Sequence, residues 1–230
     1  LLFGLGTRFS APAAHARPSL GIALPPGAVL LDASGTRPAA VAVNIGLLNQ
    51  ALHGLWRGGL LDADIGAAGG LGLPAGTTII TRGALPPVAR VVGDRVELAI
   101  GALALDVSYP GLFANLQVAL GARATTTATL VGEDIVFSAI TIDQLYFSTG
   151  TVSLDASTRG VLEDVLRSLV QSIVDTSLND ALPAIPIPSF ALPTSVGTFG
   201  LPAGAELGIT APELAIESRH IVLRGGFGVR

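Results

Sequence analysis

The segment from Thr158 to Leu182 constrains this chain more than any other. Val161, Leu162, Val165, Leu166, Leu169, Val170, Ile173, Val174, Leu178, Ala181 and Leu182 recur at helical spacing, and Arg159, Glu163, Asp164, Arg167, Gln171 and Asp175 lie mostly elsewhere. Ser157 is placed to cap this helix and Pro183 to end it. At 1.5 Å per residue the segment reaches roughly 37 Å, the length of a whole domain. Its stripe needs an apolar partner of equal length, and a strongly curved sheet wrapped along it would serve.

A shorter amphipathic pattern runs from Asn44 to Trp56. Leu47, Leu48, Ala51, Leu52, Leu55 and Trp56 form its wide apolar stripe, with Asn49, Gln50, His53 and Arg57 assigned to the other side. Asn44 can cap it, and Gly58 or Gly59 supplies the stop.

Strand patterns surround both helices. Val41 to Val43 reads as a brief strand. Arg95 to Val107 alternates through Val96, Leu98 and Ile100, then slips by one residue beyond Gly101 and continues through Leu103, Leu105 and Val107. A slip of that kind is how a β-bulge looks in sequence, and bulges bend sheets. Asn115 to Leu130 keeps Leu116, Val118, Leu120, Ala122, Ala124, Thr126, Ala128 and Leu130 on one face, tapering from large to small side chains. Ile135 to Phe147 reads as one more strand, with Phe137 and Phe147 facing the same way. Leu207 to Ile209 and Glu213 to Gly226 are expected to close the sheet. Because the strands come in groups, the fold class is α+β rather than alternating βαβ. Residues 1–36, rich in Pro, Ala and Gly, read as connector with one or two strands, ending near Ala33-Ser34-Gly35-Thr36. Residues 37–230 form the main domain.

Composition sharpens the functional reading. Half the residues are apolar, yet aromatics make up only 5% and methionine is absent. The interior must therefore be built from Ala, Leu, Val and Ile, which fill volume poorly and make an enclosed space easier to leave open. A net charge of −4 argues against nucleic-acid binding, since nothing would neutralise phosphates. It also leaves no basic patch for steady adsorption to an anionic membrane. The use of arginine without lysine, together with the alanine content, reads as coding bias in a GC-rich genome. Without cysteine there is no disulfide or thiol chemistry. Five prolines interrupt the longest uncharged stretch, Ala181 to Ala205, and Gly69-Gly70 with Pro74 interrupt Ile65 to Thr81, so a soluble domain is expected.

Catalysis finds little support. His15, His53 and His220 are far apart, and none stands at metal-ligand spacing from a Glu or a second His. No G-x-S-x-G elbow occurs. Gly69-Gly70-Leu71-Gly72 lacks the lysine of a phosphate loop and the spacing of a dinucleotide fingerprint. Asp62-Ala63-Asp64 reads as a solvated pair. The expectation is a protein with no catalytic residues, no metal and no cofactor.

Several segments carry a family resemblance. Leu48-Asn49-Gln50-Ala51-Leu52 and Leu55-Trp56-Arg57-Gly58-Gly59-Leu60-Leu61-Asp62 come first, then Leu73-Pro74 and Leu85-Pro86-Pro87-Val88. Leu178-Asn179-Asp180 and Ile187-Pro188-Ser189-Phe190-Ala191-Leu192-Pro193 follow in order. Together, over about residues 37–230, they resemble the C-terminal half of the bactericidal permeability-increasing and lipopolysaccharide-binding proteins, within the tubular lipid-binding (TULIP) superfamily, and the resemblance is to a bacterial member. The resemblance implies a barrel of highly twisted antiparallel sheet around a long helix, with a second helix beside it and an apolar tunnel between. It implies lipid binding or transfer without chemistry, and a second such module in the same protein, with residues 1–36 as remnant strands of the junction. A basic tip on the first module, to which endotoxin recognition in the family is attributed, has no counterpart in this acidic chain.

The ligand expected is a phospholipid or related fatty-acyl amphiphile, exchanged by transient membrane contact. Its acyl chains would lie against Leu47, Leu48, Ala51, Leu52, Leu55, Trp56, Leu162, Val165, Leu166, Leu169, Val170 and Ile173. Trp56 belongs either to the core or to a tunnel mouth, with its indole N–H near a headgroup and Arg57 near a phosphate. The competing expectation is a structural or dimerisation module with a filled core and no ligand. A secreted, periplasmic or cell-envelope setting is expected.

Overall fold

Alternation and helical periodicity sort the chain into strands and two helices, and a computed structural model places them. It describes residues 19, 21, 37–66, 73–175, 184–192 and 204–230. The expected boundary at 33–36, the Gly69–Gly72 loop, His15 and the final turns of the long helix lie outside the described residues.

The order is β1 (Ala39–Asn44), α1 (Ile45–Arg57), β2 (Ala63–Gly66), β3 (Thr78–Gly83), β4 (Val88–Val92), β5 (Arg95–Tyr109), β6 (Phe113–Thr126), β7 (Ala128–Val131), β8 (Asp134–Phe137) and β9 (Thr141–Ser148). After these come α2 (Ala156–Ile173), β10 (Ile185–Pro186), β11 (Ser189–Ala191), β12 (Glu206–Glu217) and β13 (His220–Val229). The class is α+β, and every strand pairing among the described residues is antiparallel.

Among the described residues the strands form three sheets and do not close into a barrel. The largest runs β2-β3-β5-β6-β9, with β4 also paired to β5; a second runs β1-β13-β12-β11; a third runs β10-β8-β7. The single strands expected over 115–130 and 135–147 are each broken in two, and the break has a local cause. Ser138 N–H donates to the Thr127 carbonyl at 2.8 Å, and the Thr126 hydroxyl donates to the Ser138 carbonyl at 2.7 Å. These bonds pin a corner at Thr127 and Ser138, beyond which β7 and β8 leave the large sheet. The strand expected over Glu213 to Gly226 is likewise a hairpin, turning at Ser218-Arg219.

The bulge expected at Gly101 is present. The β5–β6 register shifts between Ile100 and Leu103, and the residue in the left-handed region is Ala102 at φ 52°. The slip keeps Val96, Leu98, Ile100, Leu103, Leu105 and Val107 all buried on one face. Opposite them, Leu116, Val118, Leu120, Ala122, Ala124 and Thr126 of β6 are buried as well.

The long helix starts earlier than expected, because Asp155 rather than Ser157 caps it. Its Oδ1 accepts from the Ser157 and Thr158 N–H groups at 2.9 and 3.0 Å. A carboxylate also complements the positive end of the helix dipole, which a serine hydroxyl does not. The helix is described over 18 residues, about 27 Å, and loosens into a π-turn at 174–175. No described helix is long and apolar enough to cross a membrane.

Candidate functional site

The buried line of α1 is Ile45, Leu48, Asn49, Leu52 and Trp56, with Ala51 beside it, whereas Leu47 and Leu55 are half-buried at its border. Asn49 is therefore not on the solvent side, as its polarity suggests. Its spacing from Ile45, Leu52 and Trp56 (−4, +3, +7) puts it on the core stripe, and its carboxamide is satisfied there by the backbone of Ala89.

Further polar bonds fasten α1. Asn44 Oδ1 accepts from Gly46 N–H at 2.7 Å, and its Nδ2 donates to His220 Nε2 at 2.9 Å, joining the helix start to β13. Trp56 is 5% exposed and its indole N–H donates to the Gly83 carbonyl at 2.8 Å. That bond places Trp56 in the core and occupies the donor that a tunnel-mouth position would aim at a headgroup. A Cβ on Gly83 would lie 2.7 Å from Leu61 Cβ and 3.3 Å from Trp56 Cδ1, so only glycine allows this approach. The Thr81 hydroxyl donates to the Leu61 carbonyl at 2.8 Å and accepts from Ala63 N–H at 2.9 Å, closing the turn behind α1. Arg57 is exposed.

The second helix is held differently. Its buried face is Leu162, Val165, Leu166, Leu169, Val170 and Ile173, all aliphatic. Its polar side chains bond along its own length: Arg167 to Glu163 at 3.5 Å, and Gln171 to Asp175 at 2.8 Å. The Arg159 guanidinium stacks over Phe147 of β9, 4.8 Å from the ring centre. The apolar face of α2 shares one continuous core with Leu48, Leu52 and Trp56 of α1 and with the buried rows of β5 and β6.

The structure thus brings Leu48, Leu52 and Trp56 of α1 into one core with the six α2 candidates, while Leu47, Ala51 and Leu55 are not part of it. Leu52, Leu162, Leu166 and Leu169 have no exposed surface at all, so no water-sized space touches them and the seam under α2 is shut at those positions. Buried polar residues of the described core are Asn49, Thr77, Thr81 and Thr126, none of them ionisable.

Titratable groups lie outside this core. His53 Nε2 stands 2.7 Å from the Ser19 hydroxyl, and partial burial followed by the Arg57 charge lowers its pKa below the ordinary 6.5. A hydroxyl beside a neutral imidazole is the first element of nucleophilic catalysis, but this contact is exposed. Burial and then Arg219 lower His220 in the same way. Among the described residues no three His, Asp or Glu side chains converge as metal ligands would.

No family model matches the chain, and no curated protein matches it. Among solved structures it is similar to one described as the crystal structure of lipopolysaccharide binding protein. The likeness has 13% identity and a TM-score of 0.37, over 67% of this chain and 33% of that one. The chain spans a third of that protein's length.

Proposed function

We propose that the chain is a non-enzymatic lipid-binding domain of the tubular lipid-binding type, a C-terminal-type module that takes acyl chains of a phospholipid or related amphiphile between α2 and the β5–β6 face. One observation carries the reading: α2 rests on the sheet through an aliphatic face, whereas α1 is bonded to β4 and Gly83 through Asn49 and Trp56. Beyond the Arg159–Phe147 contact at its start, the buried face of this helix is hydrocarbon, and an acyl chain can take the place of those contacts like for like. The exchange also gains about 0.8 kcal/mol per methylene removed from water. For a long chain that is on the order of 10 kcal/mol before ordering and association costs. The α1 residues then act as a fixed wall, and Val165 and Ile173 of α2, which keep a little exposed surface, lie where the seam starts to part. A second module of the same kind in the full protein fits the resemblance.

The second reading is a filled structural or dimerisation module, and the closed seam at Leu52, Leu162, Leu166 and Leu169 favours it. Native mass spectrometry after incubation with a fatty acid or lysophospholipid separates the two. The lipid-binding reading expects about one ligand per chain. A chain that is purified lipid-free and acquires none supports the filled module.

A further inference from the structure

The far end of the large sheet has a chemistry that the acyl-chain site does not use. There β5 and β6 close at Tyr109 and Phe113, whose rings stand 5.8 Å apart, and β3 starts beside them with Thr78 paired to Ser108. The turn before β3 packs on the same tip: a Cβ on Gly76 would lie 3.2 Å from Pro110 Cγ. Gly76 and the run Ser108–Ala114 line an open hollow of about 450 Å³. Leu112 at its rim is 44% exposed. Tyr109, Phe113, Leu73 and Leu154 reach inward and pack against the core that α2 covers. Because β9 runs toward this end before the chain enters α2, the tip and the start of α2 belong to the same end of the sheet.

Charge is distributed to match. No charged residue occurs between Asp106 and Arg123 or between Asp64 and Arg82, so the 109–113 turn and the start of β3 carry no charge, while Asp155 and Arg159 stand at the start of α2. Arg90, Asp94, Arg95 and Glu97 all sit at the opposite end of the β5 hairpin. One step behind the tip, Asp64 and Asp106 flank Ile80 in a single cross-strand row, and both are exposed. We propose that the Tyr109–Phe113 tip is a membrane-docking element for a bilayer of zwitterionic lipid. Leu112, the exposed large apolar side chain of the turn, would enter the acyl boundary, while Tyr109 and Phe113 hold the turn to the core from behind. The Asp64–Asp106 row would disfavour anionic surfaces. This rests on the lipid-binding reading, for which it names the end at which the domain meets its donor membrane.

The test uses the full chain in flotation with phosphatidylcholine vesicles, with and without added phosphatidylserine, against Leu112→Asp and Leu112→Phe. The wild type should float with phosphatidylcholine, without loss on adding salt, and bind less as phosphatidylserine is added. Leu112→Asp should bind about ten-fold more weakly, and Leu112→Phe should bind as the wild type. Uptake of a fluorescent fatty acid from solution and thermal stability should be the same in all three. A wild type that stays in solution, a Leu112→Asp chain that floats equally well, or binding that needs phosphatidylserine would overturn the proposal. So would a substitution effect confined to self-association. If the wild type docks, Leu112→Asp does not and neither takes up fatty acid, the tip assignment stands and the acyl-chain site fails.

Discussion

The carboxamide of Asn49 and the backbone of Ala89 hold each other through two hydrogen bonds. Nδ2 donates to the Ala89 carbonyl at 3.0 Å, and the Ala89 N–H donates to Oδ1 at 2.6 Å. One buried side chain on α1 thus supplies both partners that a residue of the neighbouring strand β4 needs. Asn49→Leu removes both and strands a buried donor and acceptor, at a cost of roughly 2 kcal/mol or more. Chemical denaturation should show that loss, with the slope unchanged. A neutral or stabilising result would mean that α1 is not fastened to β4 in this way.

Trp56 tests whether the indole serves the fold or a ligand. Trp56→Phe keeps most of the apolar volume and loses the N–H donated to Gly83. Stability should fall by about 1–2 kcal/mol, with little change in affinity for a fluorescent fatty acid. Weakened affinity at full stability would instead place the indole at a headgroup.

Much of this architecture can be read from the residues. Leu103, Leu105 and Val107 resume their alternation after Gly101 because a bulge must keep one face buried, and periodicity reports that directly. The span of α1 is bounded by chemistry as local as the Asn44 cap. Asn49 misleads because a carboxamide can occupy a core stripe whenever a neighbouring backbone satisfies it, and that neighbour lies 40 residues away. The corner at Thr127 and Ser138 is equally invisible, since Ala124, Thr126, Ala128 and Leu130 alternate straight through it. Periodicity records which face a residue presents, not which sheet it joins. Ser157 and Asp155 are both good caps in isolation, and the Thr158 hydroxyl, which donates to Asp155 Oδ2 at 2.7 Å, decides between them. The mouth-or-core choice for Trp56 rests on the Gly83 carbonyl, again a partner distant in sequence.

Ala102 occupies the left-handed region at φ 52°, where a β-carbon is strained by roughly 1 kcal/mol or more. Ala102→Gly relieves the strain at an exposed position and loses some unfolded-state restriction. The net expectation is a gain of up to about 1 kcal/mol, or a melting temperature higher by roughly 2–4 °C for a chain of this size. A clear drop would show that the bulge adopts another conformation in solution.

Stability should fall on mild acidification. Burial lowers His53 and His220 below the ordinary 6.5. As pH falls through that value, the unfolded chain takes up protons that the native chain refuses. The stabilisation is therefore complete above about 6.5 and is lost as pH drops through the lowered native values. Protonated His220 also loses the lone pair that accepts from Asn44 Nδ2, weakening the residue that caps α1. Melting temperatures across this range, compared with His53→Asn/His220→Asn, should show a flatter profile in the double variant. An identical profile would assign the effect to other groups.

The account turns on whether α2 parts from the sheet to admit hydrocarbon. A fatty acid with a diazirine on its acyl chain, photolysed with the full chain and mapped by peptide mass spectrometry, tests this most directly. About one label per chain is expected, on α2 peptides around Val165 and Ile173 and on β5–β6 peptides facing them, competed by unlabelled fatty acid. Label that is absent, or confined to the outer surface and indifferent to competitor, would contradict the account and leave the filled module in its place.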